Sequence, residues 1–425
     1  MRLRFSVAGL VLGAILLLAC GPPPVGSPEP VPDPTPAPDP EPDPVKPPTG
    51  FNWTAGPGCG EPTAGMDRFT EEGELRGLVV AGELGRRGRS TLLAEDLDAD
   101  GDIDLVYSVP SAELAEHSTP MVLENDGSGF FSRPPIAALD VFQWPSPSTF
   151  LAADLDGNRL PELLLGAGSE VLVLENLGGM NFGSIRSLFD VGELMLSGAD
   201  PAASGLAMKF TVGDADGDGD LDLAVLGGPP ALPPPEQGGE EAGADAATPE
   251  LLLLLEDGEV ADSILLVPPS GGTLSLGGAF TDRDGDGDLD LLVTSDLKLP
   301  GSFWRNDGLD AEGLPIFVDD AAAVGAALEI SAMGVDMADL NADGWLDYCI
   351  TDTASPACLL SSGEGDWYEA GAALGLEPAV PVGAGGTLGW GFDLADLDND
   401  GLLDAVQASG RAGNLGASEY DADYP

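Results

Sequence analysis

The sequence predicts an all-β fold, a β-propeller of four-stranded blades. Three observations predict it. One nine-residue acidic loop recurs six times, at intervals of 58, 60, 68, 57 and 57 residues. Strand-like apolar text flanks each copy. The 425 residues include 60 Gly and 38 Pro, which supply turns and argue against a helix bundle.

Each period carries text for four strands. A small-residue strand enters the loop, as in 148–153 and 386–394, and a second leaves it, as in Ile103-Asp104-Leu105-Val106-Tyr107. A third ends in a Gly-rich turn, as in 121–127 and 303–308. A fourth starts at an aromatic residue and ends near Gly, as in 317–325 and 367–375. A linear array of hairpins would leave sheet edges open, whereas a ring of blades protects them. Residues 69–77 repeat the fourth-strand spacing but precede the first loop, and the last repeat lacks clear third and fourth strands. Ring closure by this N-terminal strand gives six blades, with a degenerate seventh as the alternative. The long interval contains a Pro/Gly/Glu/Ala-rich insert at 229–249.

The loops read D-x-[DN]-x-[DN]-G-x-x-[DE] and lie between the first two strands of each blade. The first is Asp96, Asp98, Asp100, Asp102 and Asp104, at positions 1, 3, 5, 7 and 9. The third is Asp214, Asp216, Asp218, Asp220 and Asp222, and the fourth Asp282, Asp284, Asp286, Asp288 and Asp290. The fifth is Asp339, Asn341, Asp343 and Asp347, and the sixth Asp396, Asp398, Asp400 and Asp404. The second, Asp154, Asp156, Asn158 and Glu162, has Arg159 in place of the position-6 Gly and is expected to be the weakest or to stay empty. Oxygen ligands at this spacing suit Ca²⁺, which takes six to eight of them. Gly at position 6 permits the turn, and position 7 can offer its carbonyl. Position 12 is never acidic, so these are not EF-hands. About five or six calcium sites are expected, against the alternative of solvated acidic turns.

Composition excludes other chemistries. With 16 basic and 73 acidic residues, a net charge of −57, the chain lacks the cations for nucleic-acid binding. The single histidine, His117, removes most His-based catalysis and His-ligated metals. An apolar content of 43% argues against disorder despite the charge.

The N-terminus reads as an address. A basic Met1-Arg2-Leu3-Arg4 precedes a short apolar run ending Leu17-Leu18-Ala19-Cys20-Gly21. It resembles a bacterial lipoprotein signal (1–20), which implies lipidation of Cys20. Gly21 rather than Asp after it implies outer-membrane sorting. Residues 21–58 form a Pro-rich linker, with 14 prolines in 22–48, which favours extended polyproline II. The propeller domain then spans 59–425. Cys349 and Cys358 fall opposite each other if 346–351 and 357–361 pair as a hairpin, so a disulfide is expected, with two buried thiols as the alternative. Cys59 has no evident partner.

The loops, with the Leu-x-Asn-Asp-Gly-x-Gly-x-Phe-like text, resemble FG-GAP/VCBS repeats over about residues 66–410, as in the integrin α-chain propeller and many bacterial surface proteins. The resemblance implies a calcium-stabilised propeller with extracellular binding roles but names no ligand. No D-x-S-x-S motif marks an integrin-type inserted domain. The expected function is therefore a surface-displayed binding or adhesion module for a protein or glycan, touching the membrane only through its lipid anchor. It is not expected to be an enzyme, because a catalytic site occurs once per fold and these acids recur regularly. One alternative is a lyase-like polysaccharide-degrading enzyme; it has only Arg86, Arg87 and Arg89 as a basic cluster. Another is a structural envelope or matrix protein. Trp304, Trp345, Trp367 and Trp390 read as blade packing.

Overall fold

The computed structural model describes residues 16–17, 76, 92–110, 117–140, 144–145, 149–191, 209–227, 250–269, 274–296, 298–352, 355–363, 365–376, 387–397 and 401–411. The linker, the 229–249 insert, Cys20, Cys59 and the Arg86–Arg89 cluster lie outside them. A two-residue strand, β1 (Leu16–Leu17), lies within the segment read as a leader. No helix among the described residues is long and apolar enough to cross a membrane.

The first blade comprises β2 (Leu92–Glu95), β3 (Asp104–Pro110) and β4 (His117–Asn125). Its outer position is divided between β5 (Phe131–Ser132) and β6 (Trp144–Pro145), with the short helix α1 (Ala137–Asp140) between them. Pro134 and Pro135 account for the break, since neither has an N–H to continue the ladder. The second blade is β7 (Thr149–Ala153), β8 (Glu162–Ala167), β9 (Glu170–Asn176) and β10 (Phe182–Asp190). The third is β11 (Lys209–Gly213), β12 (Asp222–Leu226), β13 (Glu250–Glu256) and β14 (Glu259–Leu266). The fourth is β15 (Ser275–Thr281), β16 (Asp290–Ser295), β17 (Ser302–Leu309) and β18 (Pro315–Asp319). The fifth is β19 (Val335–Ala338), β20 (Asp347–Ile350), β21 (Ala357–Ser361) and β22 (Trp367–Glu369). Each is an antiparallel meander.

The blade count corrects the expectation of six or seven: the described residues form five. The sixth repeat supplies only an inner hairpin among the described residues, β23 (Thr387–Ala395) and β24 (Asp404–Arg411), with β1 paired to β24 at Val406–Gln407. The expected closing strand at 69–77 lies outside the described residues except Arg76. Its carbonyl accepts the Phe131 N–H of the first blade at 2.8 Å, as Val324 accepts the Trp367 N–H of the fifth at 2.8 Å.

Blades pack face to face, so both faces of each sheet are buried and the middle strands are continuous apolar runs. Successive side chains of a strand point to opposite faces. Leu163 and Leu165 of β8 therefore join the core between blades one and two, while Leu164 joins the core between blades two and three. On β12 and β13, Leu223 and Leu253 face the second blade, and Ala224 and Leu252 the fourth. Innermost strands, packed side by side in order from β2 to β23, are only half-buried. In the fifth blade, Cys349 and Cys358 stand opposite each other in register on β20 and β21 and form a disulfide across nine residues.

Leu164→Ala, which empties space at a wholly buried position, is expected to cost about 2–5 kcal/mol in a urea titration. A cost below ~1 kcal/mol would mean that the seam can collapse around the gap.

Candidate metal centres

Each acidic loop connects the first and second strands of its sheet, and its own backbone holds its side chains in place. In the first loop, Asp96 Oδ2 accepts the Gly101 N–H at 3.0 Å, and Asp96 Oδ1 accepts the Asp100 N–H at 3.1 Å. Asp100 Oδ1 accepts the Asp102 N–H at 2.9 Å. Asp104 closes the loop: its Oδ2 accepts the Leu97 N–H at 3.0 Å, and its Oδ1 accepts the Asn125 N–H of β4 at 2.9 Å.

The pattern recurs. The position-9 acids Glu162, Asp222, Asp290, Asp347 and Asp404 accept the position-2 N–H of Leu155, Ala215, Arg283, Leu340 and Leu397 at 2.7–3.0 Å. Asp222, Asp290 and Asp347 also accept the third-strand N–H of Leu255, Asn306 and Ser361. Position 6 is left-handed throughout, from φ +88° to +102° at Gly101, Gly219, Gly287, Gly344 and Gly401. Arg159 adopts φ +74°, and its N–H still reaches Asp154 Oδ2 at 2.9 Å. The second loop thus keeps its shape at a backbone cost of about 1–2 kcal/mol. Position 4 is left-handed as well, at Ala99, Gly157, Gly217, Gly285 and Ala342, a requirement the consensus left unread.

Four loops bring three carboxylate oxygens within 4.8 Å of one another: Asp96, Asp98 and Asp104; Asp154, Asp156 and Glu162; Asp214, Asp216 and Asp218; Asp282, Asp284 and Asp286. In the fifth loop Asn341 donates to Asp343 at 2.9 Å. In the sixth, Asp396 and Asp404 are described, while Asp398 and Asp400 lie outside the described residues. The position-7 side chains are not among these converging groups. Asp220 Oδ2 accepts the Asp257 N–H of the turn between β13 and β14 at 2.9 Å. Asp102 and Asp288 lie against Gly127 and Gly308 of the corresponding turns. Position 7 retains its carbonyl.

The oxygen-only donor set fits a hard cation such as Ca²⁺, and the absence of His and Cys argues against zinc or copper. Orphaned atoms test that fit. Asp154 Oδ1 and Glu162 Oε1 are buried without hydrogen-bond partners, a costly state that a cation relieves. They lie in the loop expected to be weakest. Burial pushes Asp104 and Asp222 up to about 7, and Asp290 and Asp347 up to about 6. Burial also raises Glu162, Asp98, Asp216 and Asp284, with neighbouring carboxylates adding to it.

Sequence reading missed what links these loops across blades. Asn176 Nδ2 donates to Pro161 O of its own loop at 2.8 Å and to Leu97 O of the preceding blade's loop at 2.6 Å. Asn306 does the same with Leu289 O and Ala215 O. Leu255 and Ser361 hold the equivalent place in the third and fifth blades. There, Leu255 packs in the same apolar core as Leu155. Between blades four and five, Arg283 fills the seam instead. Only 4% exposed, it pairs with Asp320 at 2.6 Å and lies over the Phe303 ring at 4.9 Å. The recurring Leu-Glu-Asn and Trp-Arg-Asn text was the available signal. Trp304 and Trp367 are buried in blade cores, as expected; Trp345 and Trp390 are half-buried.

Residues 339–406 match the FG-GAP-like repeat family. The chain is a β-propeller that carries an FG-GAP-like repeat at 339–406. No curated protein matches it in sequence. Among solved structures it is similar to a lectin of Agrocybe aegerita that recognises non-reducing terminal N-acetylglucosamine, at 17% identity and TM-score 0.47, over 75% of this chain and 74% of that one. It is also similar to the biofilm matrix protein Bap1 of V. cholerae, at 15% identity and TM-score 0.33, over 65% of this chain and 38% of that one. A third likeness, to the Tc holotoxin pore of Photorhabdus luminescens, has 16% identity and TM-score 0.19, over 76% of this chain and 18% of that one. Likenesses of this degree say nothing about what the FG-GAP-repeat propeller binds.

In chelator, the melting temperature is expected to fall as pH rises from 4 to 7. The buried acids have folded values above the ordinary 3.8, so the stability they contribute is complete below that value and is lost as pH rises through 6–7. Asp222→Asn, neutral at every pH, is expected to show a shallower fall. A fall as steep as that of the unmodified protein would remove Asp222 from the cause.

Proposed function

We propose that this FG-GAP-repeat propeller is a calcium-stabilised binding module displayed outside the cytoplasm. The observation that carries the calcium part is the second loop, where two buried carboxylate oxygens lack partners beside a third carboxylate. Positions 1, 3 and 9 would hold the ion in the first two loops, and positions 1, 3 and 5 in the third and fourth, with the position-7 carbonyl completing the set. Bound calcium supplies charge neutralisation. The chain's own residues do the rest: position-9 acids tie the loop to the second and third strands, and Asn176 and Asn306 tie loops to neighbouring blades.

The same acids recur in every repeat, which suits a structural metal and leaves the propeller surface to contact a ligand. The lipoprotein-like N-terminus and proline-rich spacer favour lipid-anchored surface display, with an extracellular protein or glycan as ligand and no catalytic role. Metal that binds the folded state alone adds ~2.7 kcal/mol per site at a hundred times its Kd.

Atomic emission after dialysis is expected to show one fewer bound calcium in Asp284→Ala, and likewise in Glu162→Gln, with circular dichroism unchanged. Unaltered stoichiometry in both would sink the ligand assignment. For the ligand, the purified chain is applied to a glycan array and to a panel of extracellular matrix proteins, in calcium. Binding to neither panel would overturn the module reading.

A further inference from the structure

Position 7 of the fifth loop is Trp345, where the first, third and fourth loops carry an acid and the second and sixth a leucine. In the first four blades this side chain lies against the turn between the third and fourth strands of its own sheet. Asp102 lies against Gly127, Leu160 against Gly178 and Asp288 against Gly308, while Asp220 accepts the Asp257 N–H. Trp345 follows the same rule. A Cβ placed on Gly363, in the turn between β21 and β22, would lie 3.2 Å from its Nε1 and 3.4 Å from its Cδ1. The indole is longer than those other side chains, and its far ring continues to the neighbouring blade. A Cβ placed on Gly285 would lie 3.1 Å from Cη2 and 3.4 Å from Cζ3.

Gly285 is position 4 of the fourth loop. It stands between Asp284 and Asp286, and its N–H donates to Asp282 Oδ1 at 2.8 Å. Those three acids converge, and all three are exposed. Burial does not hold them together, so the turn must. The equivalent glycines of the second and third loops, Gly157 and Gly217, share its left-handed backbone, at φ +72° and +76° against +76°. A Cβ on either would meet nothing within 4 Å. Gly285 therefore differs from them in being covered, and its cover comes from the next blade. Trp345 is half-buried and held in place, its N–H donating to Asp343 Oδ1 at 2.9 Å.

We propose that Trp345 is a positioning residue for the fourth metal loop: its indole, packed on Gly285, keeps Asp282, Asp284 and Asp286 convergent and tightens their hold on a cation. The inference rests on the reading of these loops as cation sites. Two physical effects act together. A ring seated on the turn restricts the backbone between two ligands, which lowers the ordering cost of binding. It also excludes water from one side of the turn, and attraction between carboxylates and a cation strengthens as the local dielectric falls. Arg283, the other unusual residue of this loop, is paired in the seam with Asp320 and stays constant in every comparison below.

Calorimetric calcium titration of the full chain, stripped with chelator, tests the role. Trp345→Ala removes the ring, and Trp345→Phe keeps a ring too short to reach Gly285. Each is expected to weaken one site about tenfold, with the number of bound ions and the other affinities unchanged. If Trp345→Ala fails to fold, Trp345→Phe carries the test. In an Asp284→Ala background, Trp345→Ala is expected to weaken nothing further, which identifies the site. Terbium, a luminescent ion used in place of calcium, is the second probe: its tryptophan-sensitised emission is expected to drop in both Trp345→Ala and Asp284→Ala. A role confined to blade packing would instead lower the melting temperature in chelator and leave every affinity unaltered, which would overturn the proposal. So would a loss of affinity that persists in the Asp284→Ala background, because the weakened site would then be another. An unmodified chain that binds no calcium sinks the cation reading and this inference together. Calcium bound with equal affinity in the unmodified chain and both Trp345 variants sinks this inference alone.

Discussion

The rest of the structure depends on one buried carboxylate per blade. At position 9 of each loop, an acid at the start of the second strand accepts the N–H at position 2, and in blades one, three, four and five its other oxygen accepts a third-strand N–H. A single side chain thereby sets the turn, the strand that follows it and the register of the next. The group is nearly inaccessible in all five blades. Burying it costs free energy that its two backbone donors only partly return. The converging acids at positions 1 and 3 add repulsion to that cost. A cation among them would offset both, coupling metal to architecture.

The sixth repeat shows what this arrangement needs around it. Its loop carries the same motif, and Asp404 still accepts the Leu397 N–H. Yet Asp404 and Leu397 are exposed, whereas Asp104 and Leu97 are buried. The difference lies in the neighbours. Where a third strand and a following blade are present, they cover positions 9 and 2. Among the described residues of the sixth loop, Asp404 and Asp396 still accept the Leu397 and Gly401 N–H groups, bonds made within nine residues.

Seams between blades use three different solutions to one problem, the position-2 carbonyl and side chain left at each blade's edge. Asn176 and Asn306 meet it with a donated amide hydrogen, Leu255 with apolar contact, and Arg283 with a buried guanidinium between Asp320 and an aromatic ring. A neutral amide is the least costly of these. The buried arginine is held by Asp320 and Asp290, which neutralise it, and by Phe303 and Trp367, whose rings it lies against.

Much of the fold was legible because it is written locally. Loop spacing, strand text and the opposed cysteines follow from residues close in sequence, and so did the all-β class and the loop acids. The blade count was not legible, since it turns on which distant strands meet. Arg159 stands where the consensus has Gly, and its own N–H bonded to Asp154 goes with the same left-handed turn. The direction of the position-7 acids was not legible, because it goes with the turn of another hairpin, roughly 25 to 37 residues away in the case of Asp102 and Asp220. By itself the sequence determined the repeat, the donor chemistry and the turns. Tertiary structure alone decided which acids converge and which are orphaned, because burial and charge proximity are properties of neighbours that the chain brings together only on folding.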